Sequence, residues 1–154
     1  MTYPELQIQL DINPDNRVDV LNNVDACRWT KYGYLFVDQE DGQCYLFDED
    51  GNLDDISKVK TIISCAFEDC TSLVKIKIPN NIESIGCCAF INCTSLTSIK
   101  IPDSVEWIEN YAFVDCTSLK ELVFEGKTID QIKAMNNYPW GIRDESVIKY
   151  KAFI

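Results

Sequence analysis

The chain has 154 residues, 46% hydrophobic and 25% charged, enough to enclose a core of its own, and it holds no apolar run near the ~20 residues a membrane helix needs. Its 14 basic and 25 acidic side chains leave a formal charge of −11, a sign that repels nucleic-acid phosphates and anionic lipid alike. Histidine is absent, which removes Ser/His/Asp and Cys/His nucleophilic pairs and every imidazole metal site.

The N-terminal third is the acidic part: residues 1–58 carry 13 acids and 4 bases, against 12 and 10 in residues 59–154. Met1 to Leu6 shows neither a basic cluster nor an apolar stretch of signal-peptide type, so an intracellular start is expected. Leu6, Ile8, Leu10 and Ile12 alternate with polar residues, and Asn13-Pro14-Asp15-Asn16 supplies turn chemistry before Val18, Val20 and Leu21, a pattern that predicts a hairpin. Further strands read at Tyr32 to Val37 and Cys44 to Phe47, with Asp41-Gly42 and Asp50-Gly51 as turn dipeptides. Residues 1–58 are therefore expected to form a small β cap.

From residue 59 to 126 the sequence repeats every 23 residues. Ala66-Phe67-Glu68-Asp69-Cys70-Thr71-Ser72-Leu73 returns as Ala89-Phe90-Ile91-Asn92-Cys93-Thr94-Ser95-Leu96 and as Ala112-Phe113-Val114-Asp115-Cys116-Thr117-Ser118-Leu119. Each block runs into an alternating stretch, Leu73 to Ile78, Leu96 to Ile101 and Leu119 to Phe124. Pro79 and Pro102 end the first two, because proline lacks the N–H that would continue a ladder. Ile82 with Ile85, and Val105 with Ile108, mark a second flat side, with Val59 and Ile62 as an earlier copy. A unit this short cannot bury its own apolar face; stacked units bury it together. The prediction is a β-rich (α/β) solenoid of about three coils with parallel strands.

The array then needs a closing piece, expected over residues 127–154. Thr128-Ile129-Asp130-Gln131 fits a capping box ahead of Ile132 and Met135 on one helical face. Pro139 stops that helix, and Val147 to Ile154 reads as a final strand or ordered tail. The whole is expected to be one structural domain.

The pattern Leu-x-x-Ile-x-Ile-Pro-x-x-Ile/Val-x-x-Ile-x-x-x-Ala-Phe-x-x-Cys-Thr-Ser-Leu, over about residues 56 to 126, resembles the BspA-like leucine-rich repeat family. The stretch from Gly126 through Tyr138-Pro139-Trp140-Gly141 is similar to the closing segment of such arrays. The resemblance implies a curved solenoid whose parallel strands form a concave face for contact with proteins or surface ligands. It carries over no catalytic residue. It also implies a cell-surface adhesion or host-interaction role for many relatives.

Eight cysteines invite a metal or disulfide reading, but Cys65 and Cys88, and likewise Cys70, Cys93 and Cys116, are spaced by the repeat itself. Stacked equivalents about 4.8 Å apart with parallel side chains do not suit a disulfide, so thiols packed as small hydrophobes and weakly bonded to loop backbone are expected. Cys87 lies outside both ladders and is expected to be the exposed thiol. Aligned on Gly51, the acidic run from Asp48 to Asp55 would need carboxylates at Leu46 and Ser57 to bind calcium, so it reads as a solvated turn. Asn92-Cys93-Thr94 matches a glycosylation sequon, yet its counterparts Asp69 and Asp115 point to local backbone capping. No carboxylate pair is singled out by spacing. No catalytic residue, metal or cofactor is assigned.

Binding surfaces follow from the period. Outward positions on the strand side are Val74, Lys75 and Lys77, then Thr97, Ser98 and Lys100, then Lys120, Glu121 and Val123, a modestly basic strip on an acidic protein. Of these, Lys75, Lys77, Ser98, Lys100, Lys120 and Glu121 are the candidate binding set for the concave face. Trp107, in the register of Thr61 and Ser84, is either an outward anchor or a residue tucked under the C-terminal cap, and Ile91 and Val114 could add an apolar patch to that alternative face. The expected role is a non-enzymatic protein-binding module, with no nucleic-acid partner and no membrane insertion. Its rivals are a structural subunit of a larger assembly and an adhesin for host protein or glycan.

Overall fold

Period-2 alternation and terminating prolines bend each repeat into a coil, and successive coils lie directly over one another. In a computed structural model, which describes residues 1–151, the elements in chain order are α1 (Tyr3–Ile12), α2 (Arg17–Asn22), β1 (Cys27–Thr30), β2 (Gly33–Val37), β3 (Cys44–Phe47) and β4 (Leu53–Asp54). Then come β5 (Thr61–Ile62), β6 (Lys75–Lys77), β7 (Ser84–Ile85), β8 (Ser98–Ile101), β9 (Trp107–Ile108), β10 (Glu121–Glu125), α3 (Ile129–Lys133) and β11 (Ile148–Lys151).

Two parallel sheets wall the solenoid. One has the order β11-β10-β8-β6 and the other β5-β7-β9. Register is kept across every step: Ile76, Ile99, Leu122 and Ile148 form one row of the first sheet, and Ile62, Ile85 and Ile108 one row of the second. All seven side chains are buried. On the third side of the coil the Phe67, Phe90 and Phe113 rings superpose, with centroids 5.5 and 5.7 Å apart and planes 1° and 16° from parallel. Trp140 meets the last of them edge-on at 6.4 Å and ends the column. The parallel face has four strands where the repeat alone predicts three, because β11 of the closing segment joins it, making a solenoid of about four turns.

Tight corners make this winding possible. Asp69, Asn92 and Asp115 adopt left-handed conformations with φ of 57°, 60° and 59°, as do Cys65, Cys88 and Tyr111 at 63°, 59° and 62°. Asn and Asp tolerate that region because their short side chains bond locally, and Asn92 Nδ2 donates to Asp69 Oδ1 at 2.8 Å. The sequon position is thus a corner residue, as its Asp counterparts imply. Of the two cysteine ladders, that of Cys70, Cys93 and Cys116 behaves as expected, Cys93 Sγ donating to Phe67 O at 3.0 Å and Cys116 Sγ to Phe90 O at 3.1 Å, whereas Cys65 is exposed and Cys88 half-buried.

The N-terminal cap corrects the sequence reading. Residues 3–12 are helical, not one arm of a hairpin, and Val18 to Leu21 lie in a second short helix. Thr2 and Glu5 form a reciprocal capping box, and proline sits in the first turn. Alternation at 6, 8, 10 and 12 contains two helical pairs spaced by four. Leu6 and Leu10 are fully buried, whereas Ile8 and Ile12 stand exposed. The strands expected at Tyr32–Val37 and Cys44–Phe47 are present within an antiparallel sheet of order β1-β2-β3-β4. One face of that sheet, with Leu35, Val37, Cys44 and Leu46, closes the solenoid core; the other, with Tyr34, Phe36 and Phe47, packs under the helices. At the other end Thr128 and Gln131 form the expected capping box, and Ile132 of α3 is buried. The final strand runs to Lys151, and the rest of the expected stretch to Ile154 lies outside the described residues.

Candidate binding surface

The outward positions of the four-stranded face form two rows. Lys75, Ser98 and Glu121 make one; Lys77, Lys100, Val123 and Lys149 make the other. Directly paired residues on neighbouring strands lie about 4.8 Å apart, so Lys77 and Lys100 are adjacent like charges. In water that repulsion stays below about 1 kcal/mol, small enough for the fold to carry. All of these but Lys149 line a shallow groove of about 470 Å³, together with Asp41, Ile76 and Lys151. Lys149 approaches Glu121 at 3.4 Å. Among the described residues, Lys75, Lys77, Lys100 and Lys151 have no ion pair.

The cap finishes one side of this face. Gln39 Nε2 donates to Val37 O at 3.0 Å, and Gln39 Oε1 accepts from the backbone N–H of Val74 and Lys75, while Lys77 N donates to Gly42 O at 2.8 Å. The open edge of β6 is thereby covered. Asp38 anchors the loop that does this, accepting from Tyr3 N and Glu40 N at 2.7 Å and from Asp41 N at 3.2 Å. Burial alone would push its carboxyl up, but the three N–H donors, together with the N-terminal ammonium, outweigh burial and hold it below the ordinary value.

Five of the six predicted residues, Lys75, Lys77, Ser98, Lys100 and Glu121, come together in the groove. Lys120 is exposed outside the groove lining, its N–H bonded to Thr97 O at 3.0 Å just ahead of β10. Trp107 is not tucked under the C-terminal cap. It is 44% exposed and its Nε1 donates to Glu109; Trp140 is the indole that fills the end of the core. Ile91 and Val114 are half-buried in the corner segments, where their carbonyls accept from Asp69 N and Asn92 N at 2.9 Å. Val114 is covered further by Gly141, whose position leaves no room for a Cβ, which would lie 2.2 Å from Val114 Cγ2. They therefore belong to the corner and add little to a Trp107 surface.

The family model described as BspA type leucine rich repeat region matches residues 43–138, in six copies. The chain belongs to this family. A solved structure of similar architecture is a leucine-rich repeat protein from Bacteroides capillosus ATCC 29799, 20% identical, covering 83% of this chain and 100% of that one with a TM-score of 0.50. That likeness concerns the fold. No curated protein matches significantly.

In this BspA-type array, sequence reasoning missed the lysines of β11 and the loop that flanks β6. Lys149 and Lys151 follow the same alternation as Lys75 and Lys77, which is the signal that would have placed them. Asp41 was read as turn chemistry alone, because its approach to β6 depends on how the cap docks. The thiols need one correction: Cys65 is the exposed one, and Cys87 is half-buried with its Sγ 3.5 Å from Cys88 Sγ.

Proposed function

We propose that this BspA-type leucine-rich repeat chain is a non-enzymatic protein-binding module whose partner lies across the face of β6, β8, β10 and β11. The observation that carries this reading is the groove itself. Its polar side chains are presented by a laddered, register-locked sheet and are largely unpaired with one another, so binding costs little reorganisation. A photoreactive benzoylphenylalanine in place of Ser98, at the centre of the groove, tests it. Irradiation in an extract should yield a discrete crosslinked protein species, while the same group in place of Asp103, outside the groove, should not. Absence of crosslinks at residue 98, or equal yields at both positions, would overturn the proposal.

A second reading, contact within a larger assembly, draws support from the neighbouring exposure of Trp107 and Tyr111, at 44% and 59%. It predicts a concentration-dependent increase in sedimentation mass that Trp107→Ala abolishes. A monomer at all concentrations would remove it.

A further inference from the structure

The groove has a chemical preference. We infer that it takes an extended, acidic protein segment, one that presents carboxylates on alternate residues. This rests on the protein-binding reading above and specifies its partner.

Charge is the first argument. The chain carries −11, yet five of its 14 basic residues, Lys75, Lys77, Lys100, Lys149 and Lys151, lie on three strands of one sheet. The carboxylates in the groove are Asp41 and Glu121, and Glu121 already has Lys149 at 3.4 Å. Four ammonium groups are left without an ion pair among the described residues. At physiological ionic strength charges beyond about 8 Å are screened. A ligand lying in the groove therefore feels the lysines and little of the acidic body.

Spacing is the second. Lys75 and Lys77 are two residues apart on one strand, about 6.6 Å, which is also the interval between same-side residues of an extended peptide. Lys77 and Lys100 face each other across neighbouring strands. Composition is the third. Ser98 and Val123 line the groove alongside the charges, and Asp41 and Glu121 sit among them. A uniformly charged polyanion would lay negative groups against those two carboxylates. A peptide can place hydroxyl or basic residues there and keep its acids over the lysines.

The test uses the full chain labelled with 15N and, as probe, an alternating Glu-Thr octapeptide. Amide shifts should move in β6, β8 and β10. Affinity should fall between 0.15 M and about 1 M salt, where screening is near complete. Lys77→Gln with Lys100→Gln should weaken binding about fivefold, the loss of two solvent-screened ion pairs. The exposed pair Lys60→Gln with Lys133→Gln, which changes net charge equally, should leave it unaltered. No shifts with the octapeptide, equal losses in both double variants, or tighter binding of a heparin octasaccharide at the same amides would each overturn the inference. Because the crosslinker at residue 98 reads protein contact without regard to charge, a crosslinked partner alongside a silent octapeptide would sink this inference alone. Octapeptide binding without a crosslinked partner would sink the protein-binding reading instead.

Discussion

Replacing Phe90 by alanine strikes the middle of the aromatic column. Phe90 is fully buried and stacks on both sides, on Phe67 at 5.5 Å and on Phe113 at 5.7 Å. Truncating a buried phenylalanine costs about 3–5 kcal/mol through lost transfer energy and the cavity left behind. Losing two aromatic contacts, each about 0.5–1.5 kcal/mol, places this site in the upper half of that range, about 4–5 kcal/mol. A domain of this size has about 5–15 kcal/mol in total, so much of the stability goes. Phe90→Leu keeps most of the volume but loses both stacking contacts, and should cost about 1–3 kcal/mol, less than the alanine. Urea unfolding followed by circular dichroism gives both values, read from the midpoint at unchanged slope. A loss below about 1.5 kcal/mol for Phe90→Ala, short of the usual cavity penalty, would refute the stacked interior.

Four other perturbations follow from the same structure. Cys65 should be modified first by a thiol reagent in the native state, and Cys44, Cys93 and Cys27 only after denaturant; fast native labelling of Cys93 would contradict its place in the core. Burial pushes the thiols of Cys27, Cys44, Cys93 and Cys116 from the ordinary 9.0 up to about 12. The folded state then holds protons the unfolded chain releases, so their contribution is complete below pH 9 and is lost as pH climbs toward 12. Urea midpoints should decline across that window, less steeply in a Cys44→Ala/Cys93→Ala variant. Thr128→Ala breaks a reciprocal capping box and should cost about 1 kcal/mol by the same assay. Gly86→Ala would put a Cβ 2.4 Å from Ser64 N, on backbone that cannot step aside, and should cost about 1–3 kcal/mol; a neutral result would show the coils are more loosely stacked there.

What the sequence disclosed was whatever the repeat enforces. Phe67, Phe90 and Phe113 recur in one slot, and stacking turns equal slots into columns, so the core and the outward lysines of β6 and β8 were legible. The ends obey no period and were read less well. Leu6 to Ile12 alternates like a strand, but positions 6 and 10 also share a helical face, and Thr2-x-x-Glu5 was the overlooked capping signal that decides for the helix. Register gave Trp107 a slot beside Thr61 and Ser84 but is silent on Trp140, which lies outside the period, because which indole fills the last coil depends on how the closing segment folds back. Within the groove, Lys75, Lys77 and Lys100 were readable from the repeat. Asp41 was not, since it arrives from the cap through a docking held by Gln39 and Gly42.

The most direct test of the stacked-coil account is an aromatic-edited NOE spectrum of the full chain with assigned phenylalanine rings. Cross-peaks should join Phe67 to Phe90 and Phe90 to Phe113, whose centroids are 5.5 and 5.7 Å apart, and none should join Phe67 to Phe113, two steps apart in the column. Missing neighbour peaks, or a direct Phe67–Phe113 contact, would contradict the register that also places Lys77 beside Lys100.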